Sequence, residues 1–253
     1  MDRIRAWVLG SLLFLAVIST PVFSFQSPGT LSLQRRRNIH RYEAQEDDDV
    51  WDQLDDDERQ LRRNVATAKE LIRMKQAEDA LLYFDKAVQI KENAFLWQRG
   101  VLLYLLGKFD EAHDQLSRNI RHYENVFEQP ATEERIWMLA SEKRGDLLVV
   151  PDQQPFSISL EEEELKESRV VLKKAELFLA GEIGEDEVME TIERTKSDYW
   201  ACYGQYYLGV GMEARNQMDK AQKYIRSALE VSPLKEDDAG LHMMQLHGHI
   251  RGW

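Results

Sequence analysis

The sequence has neither the cysteines of a disulfide framework nor the short motifs of common active sites. Its single cysteine, Cys202, cannot form an internal disulfide, and its aromatic neighbours in YWACYGQYYLG predict that it is buried as a small apolar residue. The sequence also lacks a Gly-rich phosphate loop, a G-x-S-x-G elbow and an H-E-x-x-H motif. Because no nucleophile, base and orienting group can be assigned together, we expect no catalytic residues and no cofactor.

Metal-ligand spacing is missing as well. His242, His247 and His249 follow one another at intervals of five and two residues, which does not put three imidazoles on one helical face. No Cys, Asp or Glu among them completes a zinc set. The acidic run Glu161–Glu164 begins a predicted helix, where a favourable interaction with the helix dipole explains it without a catalytic role. We therefore expect no metal site.

The net charge changes sign along the chain, from positive in the first 42 residues to negative in the rest. The first 42 residues carry six arginines and one aspartate, or +5, and the whole chain carries −12, so residues 43–253 carry −17. So acidic a chain repels nucleic-acid phosphates, and no basic stripe interleaved with aromatic residues follows Tyr42. The charge instead favours basic peptides, basic protein surfaces or cations as partners.

Residues 1–24 have the pattern of a cleaved secretory signal peptide. Arg3 and Arg5 precede an apolar run of about thirteen residues, Ala6–Ile18, which is shorter than the roughly twenty residues that span a bilayer. Val22 and Ser24 are small enough for the two positions that signal peptidase reads. We expect no stable membrane span in the mature chain. The alternative is an uncleaved signal anchor.

Residues 25–42, FQSPGTLSLQRRRNIHRY, have the composition of an organelle transit peptide. They contain serine, threonine and four arginines but no acidic residue. A signal peptide followed at once by Phe25 and such a segment resembles the bipartite presequence of algae with complex plastids. The resemblance implies a plastid location. The alternative is a secreted or ER-lumenal protein with a disordered basic arm.

The remaining chain divides into an acidic linker, 43–54, and a helical domain, 55–253. Carboxylates at 55–57 favour a helix start there. Strand signals are nearly absent. In the segment 146–160, Pro151 and Pro155 instead predict an extended loop, either on a binding face or as a connector. Helices are predicted over 131–144, over 160–180 with Gly181 as C-cap, and over 185–195.

The stretch 93–112, NAFLWQRGVLLYLLGKFDEA, predicts two helices joined by a tight turn at Gly107. Apolar residues recur at helical spacing on both sides of this glycine. Small residues at Gly100 and Ala112 let the two helices approach closely. Two further segments repeat the pattern, with Ala80 and Ala221 aligned on Ala112.

This pattern resembles the tetratricopeptide repeat, a helix–turn–helix unit of about 34 residues. The first copy departs from it at Thr67 and Ala68, and in the second copy Asn119 replaces the last small residue. The resemblance implies an all-α, right-handed solenoid of helical hairpins with irregular central helices, which holds partner proteins. It assigns repeat packing to Ala80, Phe84, Ala87, Gly100, Gly107, Ala112, Leu208, Gly209, Ala221, Ala228 and Pro233.

A second resemblance covers roughly residues 93–146 and 203–253. The motifs QRG, EE-x-IW, a late repeat and a terminal RGW occur here in the order found in a group of small repeat proteins of bacteria and plastid-bearing organisms. The chain departs from that group between Asp146 and Thr195. No reaction is assigned to the group, so the resemblance concerns the fold.

Two binding modes can be examined in the sequence. The Lys-Asn pair with which some repeat domains clamp a peptide carboxylate is absent, because its places hold Val65, Lys69, Trp97 and Val101. A dense aromatic segment instead offers candidate partner-binding residues, while core packing is expected for most of its rings. These candidates are Tyr199, Trp200, Tyr203 and Tyr206.

Two functional hypotheses follow. The first is a non-catalytic plastid scaffold that holds another protein during assembly or maintenance of a protein complex. The second is a secretory-pathway repeat protein or an enzyme subunit that uses acidic residues. The missing catalytic sets favour the scaffold.

Overall fold

The protein is described by a computed structural model that covers residues 54–147 and 167–253. Within these ranges the chain forms ten α-helices and no strand, which confirms the predicted all-α class. The helices are α1 (Asp56–Arg73), α2 (Ala77–Ile90), α3 (Trp97–Leu105), α4 (Phe109–Phe127), α5 (Thr132–Gly145), α6 (Glu167–Ala180), α7 (Glu185–Arg194), α8 (Asp198–Ala214), α9 (Met218–Glu230) and α10 (Ala239–Arg251). The predicted signal peptide, the transit-peptide segment, nearly all of the linker, most of the 146–160 loop and Glu161–Glu164 lie outside the described residues.

The helix boundaries follow local signals in the sequence. Helix α1 begins where predicted, because the Asp55 side chain accepts a hydrogen bond of 2.8 Å from the backbone N–H of Glu58. Helix α6 ends at Ala180 and is followed, as predicted, by Gly181, whose φ of +88° suits a residue without a side chain. Helix α7 ends one residue before the predicted boundary.

Three helical hairpins, α1–α2, α3–α4 and α8–α9, share one turn geometry. The residue with positive φ in each turn is Lys75 (62°), Gly107 (77°) or Asn216 (59°). The residue after it closes the turn with a backbone hydrogen bond back to the first helix, from Gln76 to Leu71 (2.9 Å), Lys108 to Leu103 (2.8 Å) and Gln217 to Met212 (2.9 Å). Four residues further along, Ala80, Ala112 and Ala221 each donate to the residue that closed the turn. The three alanines therefore occupy the same place in the three hairpins.

These equivalent turns differ in strain, because a side chain in the left-handed region costs about 1–2 kcal/mol. Replacing exposed Lys75 by Gly should therefore raise the free energy of unfolding by about 0.5–1 kcal/mol, since the greater unfolded-state freedom of glycine offsets part of the gain. Gly107→Ala in the equivalent turn should lower it by about 1 kcal/mol. Urea unfolding followed by circular dichroism measures both. Equal shifts in one direction would contradict the common geometry.

Helices α3 and α8 form the centre of the core. Nearly every residue of α8 from Cys202 to Ala214 is buried, as expected for a helix that is apolar on all sides. Cys202 is fully buried, as predicted. Nine of the eleven residues assigned to repeat packing are buried. The other two are exposed: Gly107 in the α3–α4 turn, and Pro233 in the segment after α9.

The two helices of the α3–α4 hairpin and of the α8–α9 hairpin approach closely at a glycine. A Cβ at Gly100 would lie 2.7 Å from the Leu116 side chain, and one at Gly209 would lie 2.6 Å from Ile225 Cγ1. At Gly209 the backbone of the facing helix is close as well, since the Ala221 carbonyl oxygen would lie 3.2 Å from the added Cβ. A larger residue at Gly100 must therefore displace the Leu116 side chain, and one at Gly209 must displace the Ile225 side chain and press on the backbone of α9.

Helix α10 brings the end of the helix series back to its beginning. It packs against α9, which precedes it, and also against α1 and α3. The sequence did not predict this return. Among the described residues, no helix is both long enough and apolar enough to cross a membrane.

Candidate functional site

The aromatic segment of α8 lies inside the helix array. Trp200, Tyr203 and Tyr206 are 6%, 2% and 2% exposed, and Tyr199 is half-buried. Core packing was the expected role for most of these rings, and the structure buries three of the four. Their binding of a partner remains a prediction.

The rings of α8 meet α5 on one side and α10 on another. The Tyr206 ring centroid lies 6.0 Å from that of Trp137 on α5 and 5.8 Å from that of His247 on α10. The Tyr203 hydroxyl lies so close to Gly240, at the start of α10, that a Cβ there would be 2.0 Å away. The aromatic face of α8 is thus covered by another part of the same chain.

A buried ionic cluster joins α8 to α10. The Glu213 carboxylate is fully buried, and Arg251 donates to its Oε1 from Nε at 2.9 Å and from Nη2 at 2.7 Å. Its Oε2 lies 2.6 Å from Nε2 of His247, which is also fully buried. Arg251 Nη1 donates to the Leu105 carbonyl at the end of α3, at 2.8 Å. One arginine therefore connects three helices.

The charges in this cluster stabilise one another. Burial alone would raise the pKa of Glu213, but the hydrogen bond from His247 and the charges of His247 and Arg251 lower that pKa to about 2. Burial, together with the nearby Glu213 charge, raises the pKa of Tyr206 well above its usual value. The glutamate is therefore an anion and the tyrosine a neutral phenol at neutral pH.

The sequence of contacts from Glu213 to His247 to Tyr206 has the order of an acid–imidazole–hydroxyl relay. The Tyr206 hydroxyl lies 3.2 Å from His247 Nδ1. It donates to that nitrogen when the imidazole is neutral with its proton on Nε2, and accepts from it when the imidazole is charged. In this conformation, however, all three side chains are buried, and the hydroxyl has a raised pKa. The arrangement therefore fastens α10 to α8 and presents no group to a substrate.

The side chains of the three C-terminal histidines lie in different environments. His247 belongs to the buried cluster, the His242 ring lies 2.6 Å from the Glu236 carbonyl oxygen, and His249 is exposed. Within the described parts of the chain, no group of three or more His, Cys, Asp or Glu residues is placed to hold a metal ion.

A second polar cluster lies at the start of α5, where the Tyr207 hydroxyl donates to Glu133 at 2.9 Å. Burial of its carboxyl raises the pKa of Glu133 to about 8, the charges of Glu134 and Asp238 add to the rise, and the bond from Tyr207 opposes it. Burial likewise raises the pKa of Glu134 to about 7. Neither glutamate was predicted as a buried group from sequence, because adjacent glutamates at a helix start are usually solvated.

Glu133 gives the fold a pH dependence whose sign follows from its pKa. A carboxyl with a folded-state pKa of about 8 and an ordinary value of 4.5 costs the fold stability increasingly as pH rises between these values. Glu133→Gln keeps an acceptor for Tyr207 but cannot ionise. It should leave the free energy of unfolding unchanged near pH 4.5 and raise it by roughly 1–2 kcal/mol above pH 8, a value reduced because Glu133 is partly exposed.

Urea unfolding at about pH 4.5 and about pH 8.5 measures this difference. Exposed Glu78 on α2 provides the control, because Glu78→Gln is a surface substitution that should change the free energy of unfolding by less than about 0.5 kcal/mol at either pH. A Glu133→Gln shift that is the same at both would show that the carboxyl does not titrate as stated.

The four positions at which a peptide-carboxylate clamp would place its Lys and Asn residues are largely buried in this fold. Val65 and Val101 are buried, and Lys69 and Trp97 are half-buried. Burial lowers the pKa of Lys69 below its usual value. These positions offer no open basic site for a carboxylate.

In comparisons with known proteins, no family model, curated protein or solved structure matches the chain.

Proposed function

We propose that the chain is a non-catalytic scaffold of tetratricopeptide-like hairpins that holds another protein, as in the assembly or maintenance of a protein complex. The observation that carries this proposal is the common geometry of three hairpins, with one turn type and one register of small residues at Ala80, Ala112 and Ala221. Repetition of one supersecondary unit is the mark of solenoid architectures, whose extended surfaces bind proteins. A right-handed solenoid arrangement is part of the proposal.

The proposed partner has a basic surface. Residues 43–253 carry −17, and long-range attraction between opposite charges speeds encounter and favours partners of the opposite sign. Exposed charge pairs are screened beyond about 8–10 Å at physiological salt. Capture should therefore weaken as salt rises.

Partner capture from isolated plastids tests this function. The chain and an unrelated helical protein of equal charge serve as parallel baits. We expect to capture proteins that bind this chain but not the unrelated protein. Salt should elute them, and an excess of the unrelated protein should not displace them. Equal binding to both baits would refute specific scaffolding. Turnover of a substrate that a single acidic substitution abolishes in a folded chain would support the enzyme alternative.

The proposed location is the plastid of an alga with complex plastids. The supporting pattern is Arg3 and Arg5, the run Ala6–Ile18, Phe25 and the acid-free basic segment up to residue 42. Residues 1–42 fused to a fluorescent protein should reach the plastid, and Phe25→Ala should leave the fusion in the surrounding compartments. Uniform distribution of both fusions through the secretory pathway would favour a secreted or ER-lumenal protein.

A further inference from the structure

Helix α10 occupies a seat made by other helices of the array. We define the α10 seat as Trp137 of α5, Tyr203, Tyr206 and Glu213 of α8, the Leu105 carbonyl of α3, and the parts of α1 and α9 that pack against α10. The α10 residues Met243, Met244 and Leu246 are 2%, 0% and 0% exposed, so its apolar face is completely covered. Close approach at one end requires Gly240, which lies against the Tyr203 hydroxyl. The seat is thus shaped for an amphipathic helix.

The α10 seat also specifies a charge. Glu213 is fully buried, and the Leu105 carbonyl is one of the acceptors that a helix end leaves unsatisfied. Both accept hydrogen bonds from the single guanidinium of Arg251, two at Glu213 and one at Leu105. An ammonium group cannot make this planar set of contacts, and an apolar residue would leave a buried carboxylate without its cation.

The connection to α10 allows the helix to leave its seat. Residues 231–238 contain no helix, and Val231 at the start is 59% exposed. Eight residues can extend over roughly 26 Å, so α10 can move without unfolding α9. The paired methionines of its apolar face are flexible and tolerate repacking.

We propose that the α10 seat is a helix-binding site selective for an arginine-bearing amphipathic helix, and that α10 is its intramolecular occupant. The external occupant of the seat depends on the proposed scaffold function. It is a helix of the partner protein that takes the place of α10. Like α10, with Gly240 and Arg251, this helix has a small residue near its start and an arginine about eleven residues later. The basic group that recognises this acidic protein is then a guanidinium directed at Glu213.

A labelled peptide of residues 237–253, added to the full chain, tests the seat without an external partner. The Arg251→Met chain, whose own helix lacks the guanidinium, should bind the wild-type peptide at least tenfold more tightly than the same peptide carrying R251M. The wild-type chain should bind it more weakly, because α10 competes. The Arg226→Met chain, changed at an exposed arginine of α9, should behave as wild type.

Hydrogen exchange of the same chains gives an independent readout. Amides of α10 should exchange faster in Arg251→Met while those of α8 remain protected. If Arg251→Met does not fold, Arg251→Lys provides the weakened chain. Equal affinity for the two peptides, or no uptake by a chain with fast exchange in α10 and a protected α8, would overturn the proposal. Selective uptake without any captured plastid protein would instead refute the scaffold function and leave the seat in place.

Discussion

Replacing Glu213 by Gln should lower the free energy of unfolding by about 3 kcal/mol at pH 7, because it leaves Arg251 and His247 without their shared anion. Glutamine has nearly the same volume as glutamate, so the loss reports charge and not a cavity. Few other single changes in this chain should have so large an effect, since most charge pairs lie at the surface. Urea unfolding of the two proteins measures the difference.

The pH dependence of that loss distinguishes an ion pair from general disruption. A carboxyl with a folded-state pKa of about 2 and an ordinary value of 4.5 contributes stability that is complete above pH 4.5 and is lost as pH falls toward 2. Glutamine cannot titrate, so the two proteins should become nearly equal in stability close to pH 2. A loss that stays constant down to that pH would contradict the ionic account.

A surface pair of the same chemistry provides the control. Glu190 and Arg194 form an i, i+4 pair on α7, with side chains 58% and 76% exposed. Glu190→Gln should change the free energy of unfolding by less than about 0.5 kcal/mol at pH 7. Both substitutions remove one glutamate charge beside an arginine, so the contrast reports the burial of Glu213 and its second partner, His247.

Local features of this fold could be predicted from sequence because their causes lie within a few residues. The carboxylate at Asp55 satisfies a backbone N–H three residues away, and Gly107 and Gly181 adopt positive φ where each helix ends. The burial of Cys202 follows from its apolar neighbours on the same helix. Each of these needs only the geometry of one helix or one turn.

The buried cluster could not be predicted in this way. The contact between Leu105 and Arg251 joins residues 146 positions apart, and no local pattern brings α10 back to α3. Glu213 was not recognised because charged residues in so acidic a chain are expected at the surface. Its one sequence signal is its place near the end of α8, a helix that is otherwise apolar on all sides.

Replacing Gly209 by Leu should destabilise the protein by about 3 kcal/mol, because this glycine is where α8 and α9 cross. A Cβ there meets Ile225 Cγ1 at 2.6 Å and the backbone of Ala221 and Ile225 at 3.2 Å, and backbone cannot move aside as a side chain can. Even Gly209→Ala should destabilise by about 1 kcal/mol, although alanine favours a helix by a similar amount over glycine. Overpacking must therefore outweigh helix propensity at this position.

Gly248 on α10 separates these two effects. A Cβ there has its nearest neighbours at 3.6 Å, in Leu229, and 3.9 Å, at the Trp253 carbonyl, which are ordinary contacts. Gly248→Ala should therefore raise the free energy of unfolding by up to about 1 kcal/mol, since only the gain in helix propensity remains. Urea unfolding of the three variants should give opposite signs for alanine at 209 and at 248. Stabilisation at both would mean that α8 and α9 do not approach at Gly209, and the hairpin register built on Ala221 would then be wrong.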